Sequence, residues 1–86
     1  MAKTSRNIII TGGGSGIGME TAIKFANNGD KVIITGRTES KLAEVSKNIK
    51  QNNGNCTYYV GDVADPSFVE ETVEDVIKKY GKIDIL

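Results

Sequence analysis

Thr11-Gly12-Gly13-Gly14-Ser15-Gly16-Ile17-Gly18 follows an apolar run, Ile8-Ile9-Ile10, and opens into a segment with helical spacing. Its position between a strand and a helix decides how the rest of the chain is read. Glycines let the backbone turn sharply through positive φ and keep side chains away from an approaching anion. The first turn of the following helix offers unpaired N–H groups, backed by the positive end of the helix dipole. Strand, glycine turn and helix start, in that order, make an anion-binding site.

Outward from this turn, the chain alternates strand-like and helix-like segments. Asn7 to Thr11 is β-branched and apolar at its centre, as suits a strand buried on both faces. Met19, Ala22, Ile23 and Ala26 recur at helical spacing, and Asn27-Asn28-Gly29-Asp30 ends that helix, with Gly29 past its last turn. Lys31 to Thr35 carries Val32-Ile33-Ile34, a second buried strand. Leu42, Val45 and Ile49 form the stripe of a second helix, capped by Thr38 or Ser40, with Lys41, Glu44, Lys47 and Lys50 on its wet side. Asn52-Asn53-Gly54-Asn55 is turn chemistry, and Cys56 to Val60 is a third strand. Asp65-Pro66 reads as an N-cap followed by proline at the first helical position. Val69, Val73, Val76, Ile77 and Tyr80 hold helical spacing up to Gly81, and Ile83-Asp84-Ile85-Leu86 begins a fourth strand.

Strands linked through helices by short loops imply right-handed crossovers and a parallel sheet. The expected fold is α/β, β-α-β-α-β-α-β in sheet order 3-2-1-4, the N-terminal half of a Rossmann-type doubly wound sheet. All 86 residues form one domain, whose fourth strand would leave an open edge that intact proteins cover. The expectation is therefore a truncated chain.

Eleven basic residues balance eleven acidic ones, so no electrostatic footprint for nucleic acid or an anionic membrane is present. Apolar runs are too short to span a bilayer, and the polar start Met1-Ala2-Lys3-Thr4-Ser5-Arg6 has no signal-peptide core. A single cysteine, Cys56, excludes an intrachain disulfide, and with no histidine a zinc site is not expected. A cytoplasmic location is the default expectation.

The general dinucleotide fingerprint gives the glycines their separate tasks. Gly12 makes the tight turn, Gly16 admits a pyrophosphate, and Gly18 lets helix and sheet pack closely. Ser15 either donates to a phosphate or simply suits the turn. A P-loop is excluded, because Met19 follows the last glycine where Lys-Ser/Thr would stand. A methyltransferase-type nucleotide site fits Thr11 and the wide glycine spacing less well. About 20 residues beyond the glycines, past the second strand, an adenosine ribose would sit, and an acid there would accept from a free 2′-hydroxyl. The chain has Thr35-Gly36-Arg37-Thr38 instead, with no acid until Glu39. A guanidinium is a planar fork suited to a 2′-phosphate, Gly36 leaves room for it and Thr38 can add a hydroxyl. NADP(H) is therefore favoured over NAD(H).

The glycine turn resembles the first signature of the short-chain dehydrogenase/reductase family, Thr-Gly-x-x-x-Gly-x-Gly, at every fixed position. Asp62-Val63 after the third strand and Asp84-Ile85-Leu86 in the fourth also resemble that family, and the similarity runs from Arg6 onward. The resemblance implies an oxidoreductase interconverting a carbonyl and a secondary alcohol with a nicotinamide dinucleotide, commonly as a homo-oligomer. It implies that Asp62 accepts from the adenine amino group while Val63 packs on the ring; the alternative for Asp62 is an Asx-turn or helix-entry residue. The candidate cofactor-binding set is thus Gly12, Gly14, Ser15, Gly16, Ile17, Gly18, Arg37, Asp62 and Val63. Where Ser15 stands, many NADP-using relatives carry a basic residue. The family's Asn-Asn-Ala-Gly, its catalytic Ser and its Tyr-x-x-x-Lys do not occur in these 86 residues. Four residues beyond Tyr58, Tyr59 and Tyr80 stand Asp62, Val63 and Asp84. No catalytic residue is assigned, and the chain by itself is expected to be inactive. The alternative is a stand-alone, non-catalytic nucleotide-binding or interaction module.

Overall fold

The computed structural model describes residues 6–84. The elements follow one another as β1 (Asn7–Thr11), α1 (Gly16–Asn27), β2 (Lys31–Gly36), α2 (Glu39–Gln51), β3 (Asn55–Val60) and α3 (Pro66–Tyr80). All pairings are parallel, in the order β1-β2-β3, with Ile8 opposite Val32, Ile10 opposite Ile34, and Ile34 opposite Tyr58. This is the 3-2-1 part of the expected order, with β2 in the middle. Its interior is accordingly the driest, with Val32, Ile33 and Ile34 fully buried.

Side-chain alternation divides the sheet between two helical layers. Val32, Ile34 and Cys56 point to one face, where Ala22 and Ala26 of α1 and Leu42, Val45 and Ile49 of α2 close over them. Ile9 and Ile33 point to the other, under Val76 of α3, with Tyr59 and Tyr80 alongside. Helices on both faces define a doubly wound arrangement. The two layers differ in tightness. The α2 stripe is wholly buried, whereas along α3 only Thr72 and Val76 are, and Val69 and Ile77 keep 36% and 46% of their surface.

Local chemistry sets the ends. Asp65 Oδ1 accepts from Ser67 N at 3.0 Å ahead of Pro66, and Gly81 closes α3 in the left-handed region at φ 89°. Thr38, not Ser40, occupies the N-cap of α2, and its hydroxyl makes no capping bond. At the strands' N-terminal end two charged groups are buried with partners. Asp30 accepts from Arg6 Nε and Nη2 at 3.2 and 3.0 Å. Lys31 Nζ donates to Asn55 Oδ1 and Thr57 Oγ1, both at 2.8 Å, and lies 4.8 Å from the centre of the Tyr80 ring.

The expected fourth strand, Ile83–Leu86, lies in part outside the described residues, which exclude Ile85 and Leu86. Ile83 and Asp84 are not in strand conformation. They do reach the place the 3-2-1-4 order requires. Arg6 O accepts from Lys31 N, so the backbone groups of Asn7 face the other edge of β1. There Asp84 N donates to Asn7 O at 2.9 Å, and Asn7 N donates to Asp84 Oδ2 at 2.7 Å.

Candidate functional site

The glycine turn is tied down before it reaches any ligand. Gly12 N and Gly13 N both donate to Thr35 O, at 2.9 and 3.2 Å, so the turn hangs on the end of β2. Gly12 takes φ 71°, the tight-turn role expected of it. Gly18 lies so close to the turn that a Cβ on it would sit 2.2 Å from Gly12 O. The close packing expected at Gly18 is therefore against the turn's own backbone. Gly13, which no motif position singles out, is equally constrained: a Cβ there would meet Ile34 Cβ at 2.6 Å.

What remains open is the start of α1. The first helical bond beyond the cap runs from Met19 N to Ser15 O, and the amides of Gly16, Ile17 and Gly18 donate to no group among the described residues. Ser15, at the N-cap, makes no side-chain cap either. Ile17 is 84% exposed, an apolar side chain with nothing over it. Three free amides at the positive end of a helix, with an uncommitted hydroxyl beside them, have the makings of an anion cradle. Bound pyrophosphate would be held by these groups, and the residues present fit it.

Beside the cradle an open cleft of about 160 Å³ runs between the glycine turn and the first turn of α2. Gly12, Gly14, Ser15, Gly36, Arg37, Thr38, Lys41 and Leu42 line it. Arg37 and Ser15 thus share one cleft with Gly12 and Gly14. The missing side chain of Gly36 does not simply leave space for a ligand: a Cβ there would lie 3.2 Å from Leu42 Cδ2, so this glycine also seats α2. Lys41, read from helical spacing as a solvated residue, belongs to the cleft.

Asp62 and Val63 lie across the strand ends from this cleft. Gly61 N donates to Gly36 O at 2.8 Å, joining the ends of β2 and β3. Asp62 Oδ1 accepts from Ala64 N at 2.9 Å, which is the Asx turn, and no bond from the described residues engages Asp62 Oδ2. Val63, 48% exposed, borders a separate apolar recess with Ile9, Thr35, Phe68 and Val73. Thr35 Oγ1, buried without a hydrogen-bond partner, belongs to a residue of the same recess. The chain does not merge Arg37 and Asp62-Val63 into one pocket; they flank the strand ends from two sides.

Other titratable groups sit elsewhere. Burial, then the Asp75 carboxylate, pushes the Tyr59 hydroxyl well above its ordinary value. The Tyr80 hydroxyl is held below its ordinary value, chiefly by its hydrogen bond with Thr57 and also by Lys31 nearby. That Lys31–Tyr80 pair belongs to the N-terminal ends of the strands, whereas ligands of doubly wound sheets bind at the carboxyl ends. It is a packing device. No group of three or more His, Cys, Asp or Glu able to hold a metal occurs among the described residues.

A parallel sheet wrapped on both faces, with an open helix start and a cationic cleft at its carboxyl end, has the architecture of a Rossmann-type domain. The family model for short chain dehydrogenases matches residues 6–86, and the chain belongs to that family. It is 42% identical over 81 residues to short-chain dehydrogenase/reductase 3 of Homo sapiens, covering 93% of this chain and 27% of that protein. A metagenomic short-chain oxidoreductase solved with NADP superposes with a TM-score of 0.91 at 26% identity, over 94% of this chain and 37% of that one. L-sorbose reductase from Gluconobacter frateurii, solved with NADPH and L-sorbose, superposes with a TM-score of 0.89 at 30% identity, over 95% and 32%. The chain thus spans roughly a third of the length of these relatives.

Proposed function

We propose that this chain is the cofactor-binding part of an NADP(H)-dependent short-chain oxidoreductase that interconverts a carbonyl and a secondary alcohol. The observation that carries the cofactor choice is Arg37, which lines a cleft with the glycine turn and in which no carboxylate takes part. A bound nicotinamide would supply hydride; the residues of this chain bind and orient it. Gly16, Ile17 and Gly18 offer amides to the pyrophosphate, and Ser15 adds a hydroxyl. Arg37 meets the 2′-phosphate with a charge-assisted fork. Asp62 has one carboxylate oxygen free for the adenine amino group, and Val63 offers an apolar surface to the ring. The solved relatives named with NADP or NADPH support this reading. Proton transfer to a substrate is assigned to none of these residues, so residues 1–86 alone are expected to bind cofactor without turnover.

The test is Arg37→Glu, which puts a carboxylate where a ribose 2′-hydroxyl would welcome it and a 2′-phosphate would not. NADPH affinity is expected to fall by about a hundredfold and NADH affinity to hold or improve. An unchanged ratio of the two affinities would overturn the assignment.

A further inference from the structure

We infer that Lys41 is a second cation for the 2′-phosphate, acting with Arg37 from the first turn of α2; this rests on the NADP(H) reading above. The chain as a whole is neutral, yet the cleft beside the glycine turn carries two cations and no acid. A phosphate monoester bears close to two negative charges at neutral pH. A free ribose bears none. Two uncompensated cations in one cleft match the first and are wasted on the second.

No acid ties up the pair: neither Arg37 nor Lys41 forms an ion pair among the described residues. Glu39 is the acid nearest Arg37 in sequence, but it does not line the cleft. Its carboxylate accepts from the Tyr58 hydroxyl on β3 at 3.5 Å. Glu44 shares only the adjoining groove between α1 and α2 with Lys41, without pairing with it.

Backbone geometry sets Lys41 beside the turn. A Cβ on Gly14 would lie 3.2 Å from Lys41 Cβ, so the absence of a side chain at Gly14 lets α2 approach the glycine turn this closely. Gly14 thereby acquires a purpose that its place in the motif does not state: it seats the lysine stem. Lys41 is solvent-exposed on its helix, so its replacement leaves the core untouched.

The experiment measures dissociation constants of NADPH and NADH for the unaltered protein and for Lys41→Gln, Lys41→Arg and Arg37→Gln, at one fixed salt concentration. Lys41→Gln is expected to weaken NADPH by about tenfold, the worth of one charge-assisted contact, and to leave NADH unchanged. Lys41→Arg keeps the preference, because it keeps the charge. If Lys41→Gln alters both cofactors alike or neither, while Arg37→Gln still lowers NADPH binding, the inference about Lys41 is overturned and the NADP(H) reading stands. If the unaltered protein binds the two cofactors equally, or Arg37→Gln changes nothing, the NADP(H) reading itself fails and takes the inference with it.

Discussion

Replacing Gly18 by alanine tests how rigidly the turn and the start of α1 are joined. The added Cβ would lie 2.2 Å from Gly12 O and 2.8 Å from Gly12 C, about 1 Å inside normal contact. Neither side can retreat cheaply. The turn is pinned by two amides on Thr35 O, and Thr35 lies in the buried middle strand. On the other side α1 rests on the sheet through Ala22 and Ala26, which are buried with no longer side chain to rearrange. Overpacking of this kind costs about 1–3 kcal/mol. Alanine returns at most about 1 kcal/mol of helix propensity, and less in a first turn. The net loss is therefore about 1–2 kcal/mol, or a fall in Tm of about 10 °C for a domain this small. Thermal unfolding followed by circular dichroism reads it. Ser15→Ala is the control: its hydroxyl caps nothing, so it should stay within about 0.5 kcal/mol. A Gly18→Ala protein that melts at or above the original temperature would refute the argument.

Two further outcomes follow from the packing and the ion pair. Val76→Ala removes two fully buried methyls from the α3 face and should cost about 2 kcal/mol, while Ile77→Ala, nearly half exposed, should cost under about 0.5 kcal/mol in the same urea titration. The Arg6 side-chain hydrogen bond holds the Asp30 carboxyl below its ordinary value, so its stabilisation is complete above about pH 4 and is lost as pH falls through the folded value. Asp30→Asn should lower Tm at neutral pH and converge with the unaltered protein in acid, as a Tm series across pH will show.

Much of the fold is written in short-range chemistry. The β-branched runs at Ile8–Ile10 and Val32–Ile34 announce buried parallel strands, and Asp65-Pro66 and Gly81 mark both ends of α3. Helical spacing is a poorer guide to burial there. It ranks Val69 and Ile77 with Val76, yet only Val76 and the polar Thr72 are buried, because contact with the sheet follows a narrow line along α3. Burial of Lys31 is invisible in sequence, since its partners Asn55 and Thr57 come from the neighbouring strand through the register.

For the site, motif spacing singles out Gly12, Gly14, Ser15 and Arg37, and these four line one cleft. It does not single out Gly13, whose constraint comes from Ile34, 21 residues away and across a strand pair. Periodicity puts Lys41 on the polar side of α2, where it is exposed, and does not tell what lies opposite it. The approach of Gly14 to the first turn of α2 sets what lies opposite Lys41, and that contact exists only in three dimensions.

The central claim is that the cleft at the end of β2 reads a 2′-phosphate. The most direct test is calorimetric titration with adenosine 2′,5′-bisphosphate and with adenosine 5′-monophosphate, which differ in that phosphate alone. The account predicts that the bisphosphate binds at least about tenfold tighter, with an advantage that shrinks as salt is raised. Equal affinities, or a preference for the monophosphate, would contradict it.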